Sequence, residues 1–372
     1  MASPAANNAP TGAPKEQGKS TSLLQRRIKK FKSLKRGYYS FLIVLGLYAF
    51  SFILLFFINN KALVVHYNGE YYFPVFKEYV AAKTLGMTED GDAPVNFRKL
   101  QAKFEQENGD NWLVMPPYPW DPDERDQETK IVDEAGETVN YPYPPSSIHW
   151  LGTDPSGRDV FARMAYGFRV SISFALLLTI INYSLGSALG GLMGYYGKKI
   201  DLFGQRLLEV WSNIPFFFLV LIVSSIIQPS FIILILLLSL FGWIGMSYLM
   251  RGEFLREKAK DYVSAAISLG ASDRQIIFKH ILPNSLTPII ATLPFAIIGG
   301  ISTLVGLDYL GFGLQGKLPS WGEMLQIGND NKEHLWLLLS PIGAMFITLL
   351  LMTFIGEALR EAFDPKEYSR LR

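Results

Sequence analysis

Asp261-Tyr262-Val263-Ser264-Ala265-Ala266-Ile267-Ser268-Leu269-Gly270-Ala271-Ser272-Asp273-Arg274, running on to Ile281-Leu282-Pro283-Asn284, is a polar stretch set between two strongly hydrophobic ones. Val263, Ala266, Ile267 and Gly270 recur at helical spacing, which predicts a short helix with a small, nearly flat face suited to a partner's groove. Gly270 predicts its end, because glycine accepts the left-handed backbone that a helix stop needs. Ile276, Ile277, His280 and Ile281 begin a second amphipathic run, and Pro283 marks the turn back toward the next hydrophobic span. Periodicity alone favours an ordinary cytoplasmic loop with a helix in it.

The surrounding composition settles the class. The chain has 372 residues, 49% of them hydrophobic, and a mean hydropathy of +0.19. Several runs exceed the ~18 to 20 apolar residues that span a bilayer, longer than a soluble core helix stays apolar all round. There are no cysteines, which excludes disulfides, thiol catalysis and cysteine metal sites. The four histidines (His66, His149, His280, His334) are scattered without metal-ligand spacing, so we read them as isolated surface or interface groups and expect no metal site.

Residues 1–20, rich in Ala, Pro, Asn, Gly and Ser, read as a disordered tail. In 21–37 the bases Arg26, Arg27, Lys29, Lys30, Lys32, Lys35 and Arg36 interleave with Leu23, Leu24, Ile28, Phe31 and Leu34. Sitting directly before a hydrophobic span, this run predicts a cytoplasmic amphipathic helix against anionic lipid rather than a nucleic-acid site. Residues 38–58 form the first span, too long for a signal-peptide core. Residues 59–168 carry 18 acids against 10 bases, whereas 1–37 carry 9 bases and one acid. That asymmetry puts the amino terminus in the cytoplasm and 59–168 outside. Within the outer segment, Asn68-Gly69 between two strand-like runs predicts a β-hairpin, and 116–145 reads as irregular. Thr153-Asp154-Pro155-Ser156-Gly157 reads as a capped turn leading back into the membrane.

The remainder, 169–372, is predicted to hold five more spans. The second, 170–195, carries Gly186, Gly190 and Gly194 as a bare stripe for close helix packing. The third, 208–227, is kinked at Pro215, and the fourth is 231–250. Six bases between 251 and 279 put that loop in the cytoplasm. The fifth, 286–307, is expected to be broken by Pro288 and Pro294, and the sixth is 337–354, with the carboxyl terminus inside.

Gly311-Phe312-Gly313-Leu314-Gln315-Gly316-Lys317 satisfies GxGxxG and nearly a P-loop, but Leu318 stands where Ser or Thr would reach Mg²⁺ and no βαβ unit surrounds it. We read a tight re-entrant turn, not a nucleotide site. Ionisable residues are almost missing from the predicted spans, Glu209 and Asp308 lying near ends, and Asn182 is read as a helix-to-helix hydrogen bond. A proton-coupled carrier keeps such groups as its relay, so their scarcity weighs against secondary transport.

The order Ala265-Ala266, then Gly270, then Leu282-Pro283 resembles the EAA motif of ABC-importer permeases, with Ser264 and His280 standing in place of the motif's glutamate and isoleucine. Leu151-Gly152-Thr153-Asp154-Pro155-Ser156-Gly157-Arg158-Asp159, Leu310-Gly311-Phe312-Gly313-Leu314 and Pro319-Ser320-Trp321-Gly322-Glu323-Met324-Leu325 are similar to signatures of the C-type permease subunit of dipeptide and oligopeptide importers. Stretches 61–76 and 199–211 look most like the subgroup linked to oligopeptide and microcin C uptake, and the resemblance covers roughly 38–365. It implies an all-α polytopic protein of the bacterial inner membrane with the type I ABC-importer permease fold, six transmembrane helices and the outer β-hairpin insertion.

It further implies that 261–284, with Ser264, Ala265, Ala266, Gly270, Ala271, Asp273, Leu282, Pro283 and Asn284, is the ATPase-coupling loop. Gly152, Thr153, Asp154, Gly157, Arg158, Asp159, Gly311, Gly313, Pro319, Trp321 and Gly322 are implied as extracytoplasmic family motifs. The implied partners are a homologous permease forming a heterodimer, cytoplasmic ABC ATPase subunits that use the ATP, an extracytoplasmic peptide-binding protein and a peptide substrate. No cofactor or catalytic residue is expected on this chain, and no nucleic acid. A secondary peptide carrier and a membrane-anchored enzyme acting through 59–168 are the alternatives.

Overall fold

The computed structural model describes residues 23–77, 79–87, 91–107, 109–126, 140–227, 229–314, 316 and 318–364. The tail 1–20, Gln228, Gln315, Lys317 and 365–372 lie outside them. The chain opens with α1 (Leu23–Ser33), α2 (Lys35–Ser51), strands β1 (Val64–Tyr67) and β2 (Glu70–Tyr72), α3 (Phe97–Glu107) and β3 (Trp112–Val114). There follow α4 (Val160–Tyr196), α5 (Lys198–Ser212), α6 (Phe216–Ile226), α7 (Phe231–Gly242), α8 (Ile244–Lys258) and α9 (Asp261–Ser268). A short α10 (Asp273–Gln275) continues through a π-helical turn, Ile276–Ile281, into α11 (Leu282–Tyr309), and α12 (Trp321–Asp330) and α13 (Leu335–Phe363) close the chain.

Among the described residues, Val160–Tyr196, Asp273–Tyr309 and Leu335–Phe363 are each long and apolar enough to cross a membrane. The pairs α5/α6 and α7/α8 reach that standard only together, bent by 59° and 44°. Two of these long helices have α-helical lengths of about 55 Å at 1.5 Å per residue. The protein is therefore mostly helical and membrane-spanning.

Several expected boundaries move, each for a local reason. Helix α4 begins at Val160 rather than 170, because Asp159 caps it by accepting from the Ala162 amide at 2.7 Å. Helix α2 stops at Ser51, whose carbonyl accepts from Arg169 Nη1 at 3.2 Å; Leu54–Phe56 then forms a 3₁₀ turn. The third span is broken rather than kinked: Asn213 Nδ2 and Ser212 Oγ both donate to the Glu209 carbonyl, finishing α5, and Pro215 caps α6. Pro288 and Pro294, by contrast, leave α11 continuous. Each removes one backbone donor, a loss that neighbouring helices make tolerable in a span.

The segment between α2 and α4 has its own small core. β1 pairs antiparallel with both β2 and β3, in the order β2-β1-β3, with His66 opposite Tyr71 on one side and Trp112 on the other. Asn68 and Gly69 connect β1 to β2 with φ of 51° and 82°, both positive as a type I′ turn requires. Val65 on the inner face packs with Ala82, Leu85, Leu100 and Phe104.

The larger core is built on α4. Gly190 shows why its glycine stripe is there: a Cβ at this position would lie 2.2 Å from the Ser247 carbonyl oxygen of α8, so only hydrogen fits. Val160, Ile172, Ala175, Ile297, Ile301 and Met352 join α4, α11 and α13 in one buried cluster.

Candidate functional site

Two constellations stand at opposite ends of α4 and α11. At one end, Asp261 to Ser268 forms the short helix α9 and Gly270 follows it with φ +81°, the left-handed stop. The faces are not those expected. Val263 (0% exposed) and Ala266 (8%) are buried within the chain, Val263 in a cluster with Met250, Phe254 and Ile281, while Ser264, Ala265, Ile267, Ser268 and Gly270 face outward. Leu269, beside the turn, is 89% exposed. Periodicity identifies residues that share a face, but it does not say which body covers that face.

The loop is held stiffly from behind. The Tyr262 hydroxyl donates to Glu257 Oε2 at 2.8 Å, and burial, then this carboxylate, pushes its pKa up to about 12. Asn284 Nδ2 donates to the His280 carbonyl at 2.8 Å, closing the far side. Tyr195, at the end of α4, donates to Asp273 Oδ1 at 2.7 Å. Ser272 and Gln275 form a capping box on α10, next to the half-buried Ala271. Leu282 is half-buried and Pro283 exposed in the first turn of α11.

At the other end the motifs 152–159 and 308–324 fold onto each other. Asp154, buried, accepts from the Ser156 and Arg158 amides at 2.8 and 2.9 Å and from Arg158 Nε at 2.7 Å. Thr153 Oγ1 accepts from the Tyr143 amide at 2.7 Å, and Gly152 and Gly157 take positive φ in the same turn. Arg158 Nη2 reaches Glu323 Oε1 at 3.3 Å, and Arg163 Nη2 donates to Glu323 Oε2 at 2.8 Å. Asp308, at the end of α11, accepts from the Leu314 amide at 2.5 Å and from the Ser320 hydroxyl, so the turn holding Gly311 and Gly313 is tied to Pro319 and Gly322. Trp321 is buried, its Nε1 donating to the Met164 carbonyl at 3.0 Å.

One buried group at this end corrects the reading of the histidines as surface residues. His149 Nδ1 lies 2.8 Å from Asp159 Oδ2 and Nε2 3.1 Å from Asp126 Oδ2, with all three side chains fully buried. Burial alone would lower its pKa; the hydrogen bonds to Asp126 and Asp159 outweigh that and hold it above the ordinary histidine value. The Tyr118 hydroxyl also donates to Asp159 Oδ2, at 2.6 Å. Of these residues only Asp159 carried a sequence signal, as part of the 151–159 motif; residues 118, 126 and 149 share no spacing that would have revealed the cluster.

Between the two ends, a cavity of about 420 Å³ lies among α4, α7 and α11, lined by Thr179, Asn182, Gly242, Gly299, Gly300 and Thr303 among others. Asn182 does not form the expected interhelical bond: its buried Oδ1 has no hydrogen-bond partner. Among the described residues, no group of three or more His, Cys, Asp or Glu could hold a metal ion.

Fold and sites together define a polytopic helical membrane protein with a protruding loop at one end and an interlocked motif cluster at the other. Residues 186–367 match the family described as binding-protein-dependent transport system inner membrane component. Over 343 residues the chain is 41% identical to the inner membrane ABC transporter permease protein YejE of Escherichia coli (strain K12), covering 92% of this chain and 97% of that one. It is 36% identical over 362 residues to the peptidoglycan transport system permease protein YejE of Agrobacterium fabrum, covering 93% and 94%. It is also 36% identical over 225 residues to the dipeptide transport system permease protein DppC of Bacillus subtilis, covering 60% and 70%. The chain belongs to the family of inner membrane permease components of binding-protein-dependent ABC transport systems.

Proposed function

We propose that this chain forms half of the translocation pathway of an ATP-driven importer of peptides or peptide-bearing fragments and couples to a cytoplasmic ATPase through 261–284. The observation that carries the coupling is the exposed face of α9: Ala265, Ile267, Leu269 and Gly270 stand free while Val263 and Ala266 anchor the helix from behind. An apolar tip on a rigid mount suits a groove on a partner and transmits a push without melting. The substrate class is carried over from the relatives' names, peptidoglycan and dipeptide transport.

In this reading the chain crosses the membrane six times, with α2 and the two bent pairs as spans beside the three long helices, and both termini are cytoplasmic. A homologous permease completes a heterodimer, and the cavity at Asn182 is this chain's half of the path. A substrate-loaded binding protein docks on the outer side, over 59–168 and the 308–324 cluster. ATP is hydrolysed by the partner ATPase; this chain carries no cofactor and performs no catalysis. Closure of the ATPase would move α9, and α4 and α11, which run from the loop to the motif cluster, would carry that motion across the membrane.

Leu269→Asp tests the coupling. The variant should insert normally yet lose the ATPase on purification in mild detergent, or lose stimulation of hydrolysis by loaded binding protein. Full uptake and stimulation would reduce the loop to a connector.

A further inference from the structure

At the loop end a second cavity, about 600 Å³, opens where α1 meets the ends of α8, α11 and α13. Four bases line it: Arg27 from α1, Arg256 from α8, Lys260 just before α9 and Arg360 from α13. Three acids also line it, Glu253, Glu257 and Asp364. Two of these acids are engaged with the bases beside them. Arg256 pairs with Glu253, and Lys260 Nζ lies 2.6 Å from Glu257 Oε1, which the Tyr262 hydroxyl also holds through its other oxygen.

The other two guanidiniums have no carboxylate within ion-pair distance among the described residues. Arg27 donates through Nη1 to Thr287 Oγ1 at 2.8 Å and sits over the Phe363 ring at 5.2 Å, so its position is fixed. Its Nε is nevertheless buried with no hydrogen-bond partner. A buried guanidinium N–H without an acceptor is costly, and native proteins rarely leave one so. Arg360, an exposed residue of α13, lines the same cavity. Two planar forks on one polar lining, with the Asn284 amide beside them, suit the several oxygens of a phosphate.

We propose that the cavity between Arg27 and Arg360 is a binding site for a phosphate group, either the headgroup of an anionic phospholipid or a soluble phosphate. A bound phosphate supplies counter-charge to the Arg27 guanidinium, whose buried Nε it does not reach, and bridges α1 to α13. Because Lys260 and Asn284 border the same space and lead into α9 and α11, occupancy also braces the root of the exposed loop. The site belongs to this chain alone and does not rest on the coupling proposed above. The basic face of α1 places the anion where a membrane surface supplies it.

The full-length chain in mild detergent is heated with increasing phosphatidylglycerol, phosphatidylcholine or inorganic phosphate, at matched ionic strength. Phosphatidylglycerol or phosphate should raise the wild-type unfolding temperature, whereas phosphatidylcholine, whose headgroup is neutral overall, should not protect comparably. Arg360→Gln removes an exposed side chain, so the fold should survive. It should raise the half-saturating concentration roughly tenfold or more, the scale of one charge-assisted hydrogen bond. Arg27→Lys keeps a charge but not the fork and should shift it in the same direction. Protection by phosphatidylglycerol alone identifies a lipid site, and equal protection by inorganic phosphate identifies a soluble ligand. No protection of the wild type by either, or unchanged half-saturation in both variants, overturns the proposal.

Discussion

Arg163 in the first turn of α4 and Glu323 in the first turn of α12, 160 residues apart in the chain, meet at 2.8 Å with the arginine side chain fully buried. Arg158 shares the same carboxylate, so one acid holds two cations and joins the start of one long helix to the segment that follows α11. Losing that acid leaves the buried guanidinium with only the exposed Asp123 carboxylate, 3.2 Å from Nη1, so the cost falls below the roughly 3–5 kcal/mol of a wholly unpaired buried charge. Glu323→Gln should therefore lower the unfolding temperature in detergent markedly. Arg163→Met in the same background should recover part of the loss; no recovery would mean that the pair is not the cause.

His149 gives the motif end a pH dependence of definite sign. Its folded pKa is raised above the unfolded value of about 6.5, so its contribution to stability is complete below that pH and is lost as pH rises through the folded value. The groups facing it are the Asp126 and Asp159 carboxylates, with Trp120 packed against the ring. Unfolding temperatures of wild type and His149→Gln, measured from pH 6 to pH 9, should converge toward the alkaline end. A constant gap would show that the ring acts only by packing.

These two features also show what the sequence makes legible. Long apolar runs announce α4, α11 and α13, because a membrane-spanning helix must be apolar over its length. Their ends are less legible, since Arg163 and Arg169 lie within α4 and interrupt the hydropathy that would have marked its start. The motif residues from 152 to 159 and from 308 to 324 were visible as patterns. That they grip one another through Arg158 and Glu323 is a tertiary fact with no periodicity. Asn182 failed differently: a lone polar residue in a span wants a partner, but here it faces a cavity.

The α4/α8 contact offers a steric test. A methyl group at Gly190 would collide with the Ser247 carbonyl, and backbone cannot step aside as a flexible side chain can. Overpacking of this kind typically costs about 1–3 kcal/mol. Gly190→Ala should lower the unfolding temperature or the folded yield, while Gly245→Ala, where a Cβ meets nothing within 4 Å, should not. Equal behaviour of the two would mean that the helices are not in this close register.

Neighbouring alanines on α9 separate folding from contact more sharply than any distant pair. Ala266 is buried on the same side of α9 as Val263, whereas Ala265 faces outward beside Ser264. An aspartate at 266 buries an unpaired carboxylate in the chain's own core, at a cost of several kcal/mol. An aspartate at 265 stays in water until a partner covers it. We expect Ala266→Asp to reduce the amount of inserted, monodisperse protein, and Ala265→Asp to leave that amount near wild type while the ATPase no longer copurifies or no longer responds to loaded binding protein. Charge on the exposed face that left both the association and the stimulated hydrolysis intact would remove α9 as the contact, even though the same charge one residue later still damaged the fold.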